Sequence, residues 1–512
     1  MGCPVVYLGM FVRKKKNNSG STSIQIIQKQ KGKYKVVKTL GSSFDEKEIE
    51  KIYRQAQEAI PTMFDQLTLF QEDVTPLNLS ELNNDSIRII GSDLIFGKIF
   101  NYVGFNKIKD GLFKDLVISR ITHPGSKLQL SQYLQGNDNK YISSDAIYYF
   151  LDKLNTKYKT QIEEISFAYT NKLLEGKIGV VFYDMTTIYF ESSQPDELRI
   201  PGFSKDGKHQ NPQIFLGLLV GKNGYPIGYD IFEGNTYEGH TLIPILERFQ
   251  ARFKLDKPIV VADAGLLSKD NLKALKGKGY TFILGARIKN ESKIMVQRIR
   301  QIELTDGQNT AIKKEDGTTL FISYSEKRAK KDLSNRERGL KRLEKNLGAG
   351  RLTKSNINNR GYNKYLSMQG ELKIAINYEK FEADSKWDGL KGYITNTNLA
   401  GNEVIDKYNN LWKIEKAFRI SKTDLKIRPI YHRLRDRIEA HICISFVSFV
   451  LYKELERVLN HDDSGISINK AIKQIKKMFG VRIPITTEHF QTVLLKNNEI
   501  QQKIVDLINT HF

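Results

Sequence analysis

Between residues 177 and 286 the chain alternates short apolar runs with helical ones, and that order narrows the fold more than any other feature. KIGVVFYD is rich in β-branched residues and ends on Asp184. QIFLGLLV and PIGYDIFEG follow, joined by Gly221-Lys222-Asn223-Gly224, which contains the Asn-Gly dipeptide typical of tight hairpins. HTLIPILERFQARF has helical spacing, and PIVVADAG is a second buried-type strand, ending on Asp263. SKDNLKALKGKG and YTFILGA add a further helix and strand. The predicted order is strand, hairpin, helix, strand, helix, strand.

That order belongs to an α/β fold with an RNase H-like mixed-sheet core and helices on its faces. Such a core needs one more helix, and the pattern delays it. Residues 291–400 mix strand-like pieces with a basic stretch, so they read as a strand-rich insertion domain. From Lys327 to Arg351 there are ten Lys/Arg against three Asp/Glu, an imbalance that suits a phosphate-facing surface. The expected organisation is a β-rich segment over 1–45, with a hairpin around Lys31-Gly32, and a helical region over 46–172. The core then falls in two parts, 173–290 and 401–460, and a helical region closes the sequence over 461–512. The helical region before the core is compatible with a helix-turn-helix that reads DNA ends and equally with plain helical packing.

Charge narrows the partner. Lys plus Arg number 80 against 58 Asp plus Glu, a net +22 over 512 residues, which calls for a polyanion. A membrane surface fits poorly: the longest apolar run, Ile442 to Tyr452, is too short to span a bilayer. In the opening MGCPVVYLGMFVRKKK the positive charge follows the apolar stretch, the reverse of a signal peptide. Two cysteines, Cys3 and Cys443, provide neither a disulfide framework nor a Cys-rich zinc site. No HExxH or GxxxxGK[ST] motif occurs. These features predict a cytoplasmic, reduced protein whose partner is a nucleic acid.

Two strand-terminal aspartates and one helical glutamate are what two-metal phosphoryl transfer requires. Mg²⁺ takes hard oxygen ligands and few carboxylates, leaving room for water and phosphate. Two ions about 3.5–4 Å apart can serve the attacking and leaving oxygens. The third carboxylate is expected in YNNLWKIEKAFRISK, where Tyr408, Glu415 and Lys422 stand seven residues apart and share one face of a helix. Singly, each is ordinary: aspartates commonly cap turns and helical glutamates are commonly solvated. Their joint occurrence in fold order carries the weight.

Tyr408-x2-Leu411-x3-Glu415-x6-Lys422 resembles the Y-(2)-R-(3)-E-(6)-K signature of bacterial insertion-sequence DDE transposases of the insertion-sequence-4-like superfamily. YDMTT around Asp184 and VVADAGLLS around Asp263 resemble that group's two aspartate motifs, and GFSKDGKHQNPQIFLGLL resembles the block between them. The resemblance implies that Asp184, Asp263 and Glu415 coordinate two Mg²⁺ (Mn²⁺ as a substitute). It implies that Tyr408 and Lys422 hold the DNA backbone near the scissile phosphate. Trp412 is read either as a base-stacking platform or as core packing, and Lys205 and His209 either as a DNA-facing loop or as solvated residues. One position departs: the signature arginine is Leu411, and Arg419, one turn after Glu415, is the cation left to replace it.

The activity so implied is cut-and-paste transposition on double-stranded DNA: cleavage at inverted-repeat ends with no covalent protein intermediate, passage through hairpin ends, and strand transfer into target DNA. A homodimer would synapse the two ends, in a bacterial cytoplasm at the nucleoid. An RNase H-like structure-specific nuclease or resolvase, or an inactive DNA-binding derivative, is the alternative.

Overall fold

The computed structural model describes residues 10–30, 33–57, 86–138, 142–176, 178–191, 194–204, 207–254, 256–369, 373–484 and 490–512. The chain forms two compact units, residues 1–86 with 483–491 and residues 87–482 with 492–512.

In the first unit β1 (Met10–Lys16), β2 (Thr22–Gln30) and β3 (Lys33–Ser43) form an antiparallel sheet. The expected hairpin is therefore part of a three-stranded sheet, and its Lys31-Gly32 turn lies outside the described residues. Helix α1 (46–57) packs Ile49, Ile52, Tyr53 and Ala56 on Ile24 and Ile26. The sheet needs that apolar cover, so the strands that end at Ser43 and the helix that starts at 46 share one compact unit.

The second unit opens with helices that include α2 (Gly111–Thr122), α3 (Lys127–Asp138), α4 (Ser144–Lys153) and α5 (Lys159–Leu173). The core then follows the predicted order: β4 (Val180–Tyr189), β5 (Gln213–Val220), β6 (Pro226–Glu233), α6 (Leu242–Phe253), β7 (Ile259–Ala262), α7 (Lys269–Gly277) and β8 (Phe282–Ala286). The β5–β6 turn takes Asn223 and Gly224 to φ values of 64° and 74°, the left-handed backbone for which Asn-Gly is suited.

The insertion is tied into the core. Its strands β9 (Asn309–Lys313), β10 (Thr319–Tyr324) and β13 (Leu390–Thr395) do not make a separate sheet. They extend the core into one eight-stranded sheet of order β9-β10-β13-β8-β7-β4-β5-β6. Strand β8 would otherwise be an exposed edge, and antiparallel pairing of Gly392–Thr395 with Ile283–Ala286 covers it. Between β10 and β13 lie the long basic helix α8 (Glu326–Gly348) and a small hairpin, β11 (Leu366–Gln369) with β12 (Lys373–Ile376).

Beyond the insertion come α9 (Gly401–Asn409), α10 (Trp412–Arg419), α11 (Arg435–His461) and α12 (Glu499–His511). The region after 461 is not wholly helical, because Phe479–Val481 pair antiparallel with Ile87–Ile89. Helix α11 is the central prop, burying Ile442 to Tyr452 against α2, α4 and the sheet. Among the described residues no helix is long and apolar enough to cross a membrane.

Near the end of α11, Glu454 is fully buried and accepts from Arg457 Nε at 3.0 Å and Nη2 at 2.9 Å. Burial and the Glu454 charge both raise the pKa values of Tyr169 and Tyr225 beside it. Arg457→Leu strands that carboxylate without its cation. It is expected to cost about 3–5 kcal/mol, read as a lower urea midpoint; an unchanged midpoint means that Glu454 is satisfied otherwise.

Candidate active site

Strand alternation decides which carboxylates can meet. Phe182, Leu216, Leu218, Val261 and Ile283 share one face of the sheet, and Val181, Tyr183, Phe215, Val260 and Leu284 share the other. Asp184 pairs across from Leu218 and so belongs to the first face. Strands β4 and β7 run parallel with Tyr183 opposite Ala262, which sets Asp263 beside Asp184, again on the first face. Helix α10 packs on that same face through Ile414, Ala417 and Phe418, leaving Glu415 exposed.

The two aspartates differ in setting. Strand β7 stops at Ala262, and Asp263 caps the following turn, its Oδ1 accepting from Gly265 N. This fixes the carboxylate and leaves Oδ2 as an acceptor. Asp184 does not end its strand, contrary to expectation. The strand continues through MTTIY because that segment is β-prone and pairs with β5 as far as Tyr189–Gln213. Asp184 lies half-buried at the step where its parallel neighbour ends, with Oδ1 accepting from Met185 N at 2.7 Å.

The helix carrying the signature is not one uninterrupted rod. Leu411 N donates to Tyr408 O at 2.9 Å and Ile414 N to Leu411 O at 3.0 Å, so the chain tightens between α9 and α10. Lys422 lies in a wide turn, Ile420–Asp424, after α10 and is half-buried. Tyr408 and Glu415 are on the same side but at different depths.

Tyr408 is 8% exposed, with its ring 4.9 Å from that of Tyr393. Its hydroxyl fits over Gly285: a Cβ there would lie 2.5 Å from Tyr408 Oη and 3.0 Å from Ala264 N. Burial raises the pKa of Tyr408, and the charges of Asp263 and Glu415 add to the shift. The hydroxyl is thus packed behind the second aspartate. Little of the Tyr408 ring is left open to solvent.

Leu411 is 6% exposed within the core, where a guanidinium would meet apolar neighbours. Arg419 is exposed and counters the burial that raises the pKa of Asp424. Trp412 is 53% exposed, so core packing is excluded for it; Lys416 Nζ lies 6.0 Å from the ring centroid. Lys205 lies outside the described residues. His209 Nδ1 accepts from Ser204 N at 3.1 Å and so ties down its own loop.

Two cations escaped the sequence reading. Lys391, on the sheet face of Tyr393, holds its Nζ 4.4 Å from the Tyr408 ring centroid and 5.4 Å from that of Tyr393. Burial lowers the pKa of Lys391 and the Arg328 charge adds to this, while Glu415 and Asp263 oppose it. Arg328, in the first turn of α8, also acts on Tyr408 and Tyr393. The strand-like LKGYITNT segment was the available signal, but its register across β8 decides which face Lys391 takes.

The donor set is all oxygen, which suits a hard divalent cation. The three carboxylates do not lie within 4.8 Å of one another; among the described residues only His461, Asp462 and His511 do, at the ends of α11 and α12. Two ions about 3.5–4 Å apart need their outer ligands on opposite flanks, so one site can use all three carboxylates without such closeness.

Residues 175–451, more than half of the chain, match the family model of the transposase DDE domain. No curated protein matches the sequence. Among solved structures, a piggyBac transposase synaptic complex with hairpin DNA is similar at 9% identity and TM-score 0.38, over 85% of this chain and 83% of that one. A Mos1 transposase paired-end complex with the left transposon end matches at 13% identity and TM-score 0.15, over 31% of this chain and 53% of that one. A Mos1 mariner paired-end complex with Mn gives 12%, 0.14, 31% and 54%. The chain therefore belongs to the DDE transposase family, whose members catalyse metal-dependent DNA cleavage and strand transfer.

Proposed function

We propose that Asp184, Asp263 and Glu415 form the metal-binding site of a cut-and-paste transposase acting on the inverted-repeat ends of a bacterial insertion sequence. The observation that carries this reading is the shared sheet face of the two aspartates beneath the helix of Glu415. Two Mg²⁺, or Mn²⁺ in their place, are the ions this oxygen set suits; when bound, they supply a nucleophile and charge stabilisation for phosphodiester attack.

The protein's own residues position and neutralise. Tyr408 braces the Asp263 turn from behind. Lys391 and Arg328 offer the cations that Leu411 lacks, beside the carboxylates. Lys422 and Arg419 follow the DNA backbone past α10, and Trp412 offers an exposed ring to an unpaired base at a hairpin end. Lys205, outside the described residues, is a further candidate for DNA contact. The basic helix α8 and the helices before the core extend the duplex contact, with 46–172 as the end-binding region. A homodimer synapses two ends in the cytoplasm, at the nucleoid.

The test uses the full chain, Mg²⁺ and a duplex carrying the DNA that flanks its own gene. The expected products are a nick with a 3′-OH at the element end, then a hairpin, then joining to target DNA. Cleavage that ignores the end sequence and follows branched structure instead identifies a resolvase and overturns the transposase assignment.

A further inference from the structure

Arg120 on α2 and Lys127 at the start of α3 are each 7% exposed, and neither reaches a carboxylate among the described residues. The Arg120 guanidinium has one long contact, Nη1 to Lys426 O at 3.4 Å. Buried ammonium and guanidinium groups without a counter-ion are costly, so a pair of them marks something missing. The strain is visible in their acid–base balance. Burial brings Arg120 down to about 10 and, with Arg120 beside it, lowers Lys127 well below the usual lysine range.

Both side chains line a cavity of about 290 Å³. Its wall also holds Lys426, Arg428, His432 and His441 and, among the described residues, no aspartate or glutamate. His441 Nε2 donates to Ile427 O at 3.0 Å, while its buried Nδ1 has no partner among the described residues. His432 is brought down to about 3, by burial first and then by the charges of Lys127 and Arg120. Among the described residues the acid acting on it is Asp152, which lies outside the wall and is bound to Arg437 at 2.7 and 2.8 Å.

The cavity is attached to the active-site strand. Ile430 bridges Phe190, just beyond the end of β4, and the Arg428 guanidinium lies 5.5 Å from the Tyr189 ring. Phe190 lies six residue steps along from Asp184, about 20 Å at about 3.3 Å per residue. A duplex held at the carboxylates reaches that far.

We propose that this cavity is a phosphate-binding pocket that receives a backbone phosphate of the DNA engaged at the carboxylate site. The proposal rests on the DNA-cleaving function above. Its ligand chemistry is a phosphate anion, whether from a phosphodiester or free in solution, and the two sources separate by experiment. Lys127 and Arg120 provide the charge at depth, and Lys426 and Arg428 stand at the wall as further donors.

The full chain is compared with Lys127→Met and Lys127→Arg, all without Mg²⁺, so that the result is independent of the cleavage assay. In phosphate- and sulfate-free buffer, inorganic phosphate well above its dissociation constant is expected to raise the melting temperature of the parent by about 2 °C. It raises that of Lys127→Arg similarly and leaves Lys127→Met unmoved. Lys127→Met also melts above the parent before phosphate is added, because it removes an unpaired buried charge. On a DNA duplex, the slope of log affinity against log salt falls by about one in Lys127→Met and not in Lys127→Arg. A phosphate shift that survives Lys127→Met overturns the pocket. A shift lost with the salt slope unchanged makes free phosphate the ligand and overturns the DNA assignment.

Discussion

Asp184→Asn, Asp263→Asn and Glu415→Gln each reduce Mg²⁺-dependent cleavage of an element-end duplex by about 10³-fold or more, while duplex affinity stays within about threefold. The magnitude follows from what each substitution removes. An amide keeps the shape of the carboxylate but loses the negative charge that balances a divalent ion, and the metal-activated nucleophile is lost with the ion. Binding is spared because affinity for duplex DNA comes mainly from phosphate neutralisation by the surplus of 80 Lys/Arg over 58 Asp/Glu. Folding is spared because Asp263 and Glu415 are exposed and Asp184 is only half-buried. Measurement needs a cleavage time course and a binding isotherm on one preparation. Any variant that cleaves at the parental rate removes its residue from the site.

What the sequence made legible was whatever depends on local period and order. The β4–β8 series announces itself through apolar runs and an Asn-Gly turn, and the aspartates follow because they are placed by strand position. Long-range pairing was not legible. That β13 joins the edge of β8, rather than staying within an insertion domain, depends on partners more than a hundred residues apart. With that pairing hidden, Lys391 could not be assigned a face. Depth was hidden as well: a seven-residue spacing aligns Tyr408 with Glu415, but only the close approach to Gly285 shows that the tyrosine is packed inward. Leu411 had looked like a missing cation. Its burial explains why no cation is there, since the tightened turn between α9 and α10 aims that position into the core.

Lys391→Met is the second large effect expected, a loss of about 10²-fold in the cleavage rate, with Lys391→Arg recovering most of it. The Lys391 ammonium stands over the Tyr408 ring and within the electrostatic reach of Asp263 and Glu415, where negative charge gathers when a phosphodiester is attacked. Burial strengthens such an interaction because little water competes for the charge. Methionine keeps the length and packing of the side chain over both tyrosines, so a fall in rate reports the charge rather than a collapsed site. Two readouts separate positioning from charge. If Lys391 acts on the developing charge, the single-turnover rate falls with duplex affinity nearly constant. If it only holds Tyr408 in place, Tyr408→Phe together with Lys391→Met falls no further than Lys391→Met alone, and Lys391→Arg fails to rescue. Arg328→Ala gives a milder loss, because that guanidinium is exposed and shared with Asp332 at 3.6 Å. The insertion would then contribute to catalysis through one strand residue and one helix residue, each brought to the carboxylates by β13 joining the core sheet.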